Sequence, residues 1–137
     1  MEIAGQHAGV LYVNDSKATN AASTAPALAA YPRIRWILGG MAKSETLDEC
    51  VPNYGNVIKA YTIGEAGPEF GKMLAPLMPV EPCELLVTAV AKAAAEAKPG
   101  EVIMLSPACS SFDQFKDFEA RGNCFKAAFD SLAKGGS

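Results

Sequence analysis

The sequence holds a single histidine, His7, set in a poorly patterned N-terminal stretch. A Ser-His-Asp or Cys-His nucleophile would depend on that one imidazole, which argues against both chemistries. Cys50, Cys83, Cys109 and Cys124 lie far apart and form no C-x-x-C pair. Neither a disulfide framework nor a zinc site is therefore expected, and a reducing cytoplasm is the expected setting. No apolar run approaches the roughly 20 residues of a membrane-spanning helix, so no membrane partner is expected. No basic segment followed by an apolar one marks a secretory signal. Positive charge is not in excess: the net charge of −3 gives no reason to expect nucleic acid, which favours a basic patch. The sequence contains no G-x-x-x-x-G-K-[ST] and no G-x-G-x-x-G. The chain thus has neither a phosphate-binding P-loop nor a dinucleotide fingerprint of its own.

What is present reads as one globular domain. The 137 residues are half hydrophobic and one fifth charged, enough for a single core of ordinary size. Val10–Val13, Ile34–Leu38, Val57–Ile63 and Glu101–Leu105 read as strands. Ile3 is placed on an edge strand, and Val80 starts a brief extended piece. Helices are expected over Ala21–Ala30, about Glu69–Leu77, Glu84–Ala97, and from Phe112 or Gln114 to Leu132. Asn20 is suited to cap the first helix, and Pro26 is expected in its first turn, because a deeper proline removes a hydrogen bond. Thr46 is expected to cap a short helical piece over Leu47–Val51. Strands alternating with helices predict an α/β fold: a mostly parallel sheet with helices on both faces.

Three strands are followed by loops rich in chemistry. The first is Asn14-Asp15-Ser16-Lys17-Ala18-Thr19-Asn20, the second Gly39-Gly40-Met41-Ala42-Lys43, and the third runs from Ser106 to Phe115. If the strands are parallel, all three loops lie at one edge of the sheet, where ligands of such folds bind. Ser111 and Gln114 have the spacing of a capping box. The helix start they predict would offer oriented N–H groups to an anion, and Lys43 would add a point charge. The residues alone thus suggest recognition of a small acid. Cys109 reads as a small buried filler, Trp36 as core, and Phe112, Phe115 and Phe118 as a helix face turned to the core.

The turn Asn14–Asn20, Leu38-Gly39-Gly40 with Lys43, and Leu105–Phe115 with Phe118-Glu119 and Arg121-Gly122 resemble the C-terminal domain of the Mur ligase family, in the branch that adds D-glutamate. The resemblance covers nearly the whole chain, so residues 1–137 are expected to form one such domain with a Rossmann-like fold. It implies an ATP-dependent, amide-forming ligase of peptidoglycan synthesis that joins D-glutamate to UDP-MurNAc-L-alanine. ATP and Mg2+ would be held by the full enzyme, with the P-loop and metal ligands in another domain. This chain alone would bind neither, would be inactive and would be monomeric. By position, Thr19, Lys43, Ser111, Phe112 and Phe118 would hold the two carboxylates of D-glutamate, the aromatic positions through backbone and pocket shape. Asp15 and Lys17 would face the nucleotide, and no residue of the chain is expected to be catalytic or a metal ligand. A related amide ligase, such as another Mur ligase or a folylpolyglutamate synthase, is the alternative, although its relatives carry other residues at the Asp15–Asn20 turn. A stand-alone Rossmann-like binding module is the alternative outside enzymes.

Overall fold

Strands β3 (Ile34–Gly39) and β6 (Val102–Leu105) are buried along their whole length, as strands covered by helices on both faces must be. They lie at the centre of a six-stranded sheet with β1 (Glu2–His7), β2 (Val10–Asn14), β4 (Val57–Ile63) and β5 (Val80–Glu84), in the order β1-β2-β6-β3-β4-β5. The computed structural model describes residues 1–41, 46–111 and 113–134, and the sheet is formed among these. Only β1 runs antiparallel, as an edge hairpin with β2; the other four pairings are parallel.

Alternating side chains divide the interior into two layers. Trp36, Leu38 and Met104 face helix α1 (Ala21–Ala30) and helix α2 (Gly67–Leu74), where they meet Leu28, Phe70 and Leu74. Ile37, Ile103 and Leu105 face helix α3 (Leu86–Glu96) and helix α4 (Phe118–Lys134), where they meet Leu86, Val90 and Phe125. The mostly parallel α/β architecture with helices on both faces is the one the strand–helix alternation predicts, with Trp36 fully buried as expected.

The connection from β2 through α1 to β3 passes over β6, which is inserted later between them. The carboxyl ends of β2, β6 and β3 are consequently neighbours. From these adjoining strands α1 leaves to one face and α4 to the other, which opens a crevice at the strand ends. At the opposite edge an ionic cluster ties strand starts together. Arg35 Nε donates to Glu101 Oε1 at 2.8 Å and Nη1 donates to the Tyr61 hydroxyl at 3.0 Å. That hydroxyl donates in turn to Glu96 at 2.5 Å, and Lys59 bridges Glu96 and Glu81.

Several boundaries differ from the sequence expectation for physical reasons. Pro26 is the sixth residue of α1 and not in its first turn. Pro26 and Ala22 are both exposed, so the Ala22 carbonyl that loses its N–H partner faces water. Thr46 caps nothing: a 3₁₀ segment runs over Asp48–Asn56, through Pro52, with Leu47 at its cap position and no side-chain cap bond. Side-chain amides hold it to α1, Asn53 donating to Ala25 O at 3.1 Å and Asn56 to Leu28 O at 2.9 Å. Helix α2 starts and ends earlier than expected, with Pro68 in its first turn, and α3 starts at Leu86. The final helix starts at Phe118, beyond both positions the sequence suggests.

Candidate functional site

The turn after β2 is built by its own polar groups. Asn20 caps α1 as expected, its Oδ1 accepting the Ser23 amide at 2.8 Å. Asp15 is 8% exposed, and its carboxylate turns inward: Oδ2 accepts the Ser106 hydroxyl at 2.7 Å. The Asp15 amide also donates to Leu105 O at 2.7 Å. Ser106 is fully buried, and its carbonyl accepts the Trp36 indole N–H at 2.8 Å. A polar chain thus runs from the β2 turn through the β6 loop into the core. The other carboxylate oxygen of Asp15, Oδ1, lies 3.6 Å from the Met1 amino nitrogen.

Backbone hydrogen bonds join the three loops. The Ala108 amide donates to Ala18 O at 3.0 Å, tying the third loop to the first. The Gly39 amide donates to Pro107 O at 2.9 Å and the Met41 amide to Ser110 O at 2.9 Å, tying the second to the third. Gly40 sits at φ +140, where a Cβ would fall 2.2 Å from Ser110 O, so only glycine permits this approach. The convergence expected from parallel strands is present among the described residues.

The individual residues are placed as follows. Thr19 is half-buried and Lys17 is exposed in the first loop, while Ser111 is 2% exposed in the third. Lys43 and Phe112 lie outside the described residues. Phe118 is 36% exposed, so it stands at the rim of the site and not on a core-facing helix stripe with Phe115. Its carbonyl accepts the Ser16 hydroxyl at 2.7 Å. Lys17 and Phe118 line one cleft of about 290 Å³ together with Asn14, Asn123 and Lys126.

The expected capping box does not form at a helix start. Gln114 sends its side-chain amide to Glu84 O at 2.7 Å instead of back to Ser111, and Ser111 lies seven residues before α4. Asp117 caps α4, its Oδ1 accepting the Ala120 amide at 2.8 Å. The dipole end of α4 therefore lies at Phe118, beside the cleft that holds Lys17, and not at Ser111.

Cys109 is fully buried, as expected of a filler. Burial pushes the Cys50 thiol up to about 12 and the Cys83 thiol up to about 11, which leaves both protonated at neutral pH.

Arg121 is a site residue that residue-by-residue reading passed over. It is 1% exposed on α4, its Nε donates to Ser16 Oγ at 2.8 Å, and its Nη2 donates to Ser16 O at 2.7 Å. Nη1 is buried with no hydrogen-bond partner among the described residues. Burial lowers the guanidinium to about 10, partly offset by neighbouring Cys109 and Asp113, so it remains a cation at neutral pH. The available signal was periodic: Arg121, Phe125 and Phe129 recur every fourth residue on one helix face, and all three are buried.

No protein-family model matches the chain. It is 61% identical over 132 residues to a UDP-N-acetylmuramoylalanine--D-glutamate ligase of Novosphingobium aromaticivorans, and that match covers 96% of the chain. It is 53% identical over 133 residues to the protein of the same name from Zymomonas mobilis. The chain spans about 30% of the length of these curated relatives. Among solved structures, its fold is similar to a domain described as from a UDP-N-acetylmuramate:L-alanyl-gamma-D-glutamyl-diaminopimelate ligase of Haemophilus ducreyi. The TM-score is 0.59 at 15% identity, covering 98% of this chain and 97% of that one. A murein peptide ligase of Psychrobacter arcticus matches with TM-score 0.56 at 13% identity, over 92% of this chain and 29% of that one.

Proposed function

On the premise that the chain belongs to the Mur ligases, as a homologue of part of the UDP-N-acetylmuramoylalanine--D-glutamate ligases, we propose that it is their C-terminal, amino-acid-binding domain. The observation that carries this reading is the hydrogen-bonded convergence of the loops after β2, β6 and β3, in a chain so similar to those ligases. In the whole enzyme, ATP phosphorylates the carboxylate of UDP-MurNAc-L-alanine. The amine of D-glutamate attacks the acyl phosphate, an amide forms and phosphate leaves.

This chain contributes binding and orientation. Thr19, Lys43 and Ser111 hold the two carboxylates of D-glutamate, and Phe112 and Phe118 shape the pocket. Lys43 supplies the compact cation that an anionic amino acid requires. Lys17, exposed beside the first turn of α4, and Asp15 face the nucleotide when the domains close. The P-loop and the ligands of Mg2+ lie in a domain outside this chain, so the isolated chain is inactive. The enzyme works in the cytoplasm as a monomer.

The test is phosphate release by the full-length protein with ATP, UDP-MurNAc-L-alanine and a panel of amino acids. Turnover that requires D-glutamate is expected, with none from the isolated chain. Preference for another amino acid would overturn the assignment.

A further inference from the structure

Arg121 has no carboxylate within ion-pair distance among the described residues. Its fork is spent on one residue, with two nitrogens on the hydroxyl and carbonyl of Ser16. The Ser16 hydroxyl in turn donates a hydrogen bond to Phe118 O, so the β2 turn, the first turn of α4 and the guanidinium form one closed set of bonds. The helix reaches this turn because Gly122 has no side chain; a Cβ there would stand 2.8 Å from Asn14 Nδ2. Nη1, which has no hydrogen-bond partner among the described residues, lies 3.2 Å from where a Gly40 Cβ would be.

A buried cation with no carboxylate in ion-pair contact among the described residues costs stability, and an apolar side chain of similar volume is often nearly as good for the fold. Stability therefore does not account for an arginine here, whereas a requirement on the shape of the turn does. A guanidinium can grip a hydroxyl and a carbonyl at once; an ammonium is a point donor. We propose that Arg121 is a positioning residue: by clamping Ser16 to α4 it fixes the flanking Asp15 and Lys17 in the orientation the ligase reaction uses. The role of those two residues rests on the ligase reading above; the clamp itself does not.

Arg121→Met and Arg121→Lys in the full-length protein test this. Arg121→Met removes a desolvated charge but leaves the buried Ser16 carbonyl without its donor, so its melting temperature should shift by only a few degrees. It should lose about a hundred-fold in kcat, with little change in the KM of any substrate, as misplaced groups rather than lost binding would cause. Arg121→Lys should recover part of the rate near neutral pH. That recovery should fade as pH rises, because a buried amine loses its proton far more readily than a guanidinium. Amide exchange gives a readout that does not need activity: Arg121→Met should speed exchange at Ser16 and Ala18 while β6 stays protected. If Arg121→Met keeps kcat within about twofold, or if its exchange at Ser16 is native, the proposal is overturned. Should Arg121→Met fail to fold, an Arg121→Lys rate that follows the native pH profile overturns it equally. If the native protein shows no ligation, the ligase reading fails, and the exchange measurement still decides the clamp.

Discussion

The carboxylate of Asp15 is held by the hydroxyl of Ser106, 91 residues away in sequence, at 2.7 Å in a fully buried setting. This bond fastens the turn after β2 to the loop after β6. The other carboxylate oxygen, Oδ1, lies 3.6 Å from the Met1 amino nitrogen. Ser106→Ala removes the donor and leaves a buried acceptor short of a bond. The expected cost is about 1–3 kcal/mol. A chemical-denaturation curve with unchanged slope and a lower midpoint would show it, while an unchanged midpoint would mean that water replaces the hydroxyl.

Much of this arrangement was legible in the sequence because it follows from period and composition. Val57–Ile63 and Ile34–Leu38 are dominated by apolar and aromatic residues, with Lys59, Thr62 and Arg35 as the polar exceptions, as befits strands covered on both faces. Asn20 caps because its side-chain oxygen reaches the Ser23 amide at 2.8 Å, ahead of an alanine-rich helix. The start of α4 was not legible. Ser111 and Gln114 satisfy a local rule, but Gln114 finds Glu84 O, thirty residues earlier, and a tertiary bond overrides the local one. Ser16 and Arg121 were missed as a pair for the same reason, since their bonds span 105 residues. The placement of Asp15 toward a nucleotide came from family resemblance; the inward turn of its carboxylate could be read only from coordinates.

The ionic cluster at the far edge of the sheet predicts an acid-sensitive stability. Burial pushes Glu101 up, but its hydrogen bond with Arg35 outweighs this and holds the carboxyl below its ordinary range. A carboxylate lowered in the folded state stabilises at pH above its unfolded value, and that contribution is lost as pH falls through the folded one. Melting temperature should therefore fall on acidification below the ordinary carboxylate range. Glu101→Gln should lower stability by about 1–3 kcal/mol at neutral pH and flatten the acid slope. An equal slope in the variant would show that the Arg35 pair does not contribute.

Gly40 should resist substitution more than most loop glycines. A Cβ there would lie 2.2 Å from Ser110 O, a backbone atom that cannot rotate away. Gly40→Ala should force the second and third loops apart and break the Met41–Ser110 bridge. The loss expected is about 1–3 kcal/mol from strain at this backbone conformation. The signature is loss of amide protection at Met41. Native protection in the variant would show that the loops adjust freely.

The central claim is that the converging loops hold D-glutamate, and Lys43→Ala in the full-length protein tests it most directly. A hydrogen bond to a charged group contributes roughly 1.5–3 kcal/mol, equivalent to about ten- to a hundred-fold in affinity. Acyl phosphate forms on the other substrate, so trapping experiments should find that half-reaction intact. The account predicts a KM for D-glutamate raised by about ten- to a hundred-fold, with acyl-phosphate formation at the native rate. A KM that stays within about twofold of the native value would contradict it and make Lys43 an ordinary surface lysine.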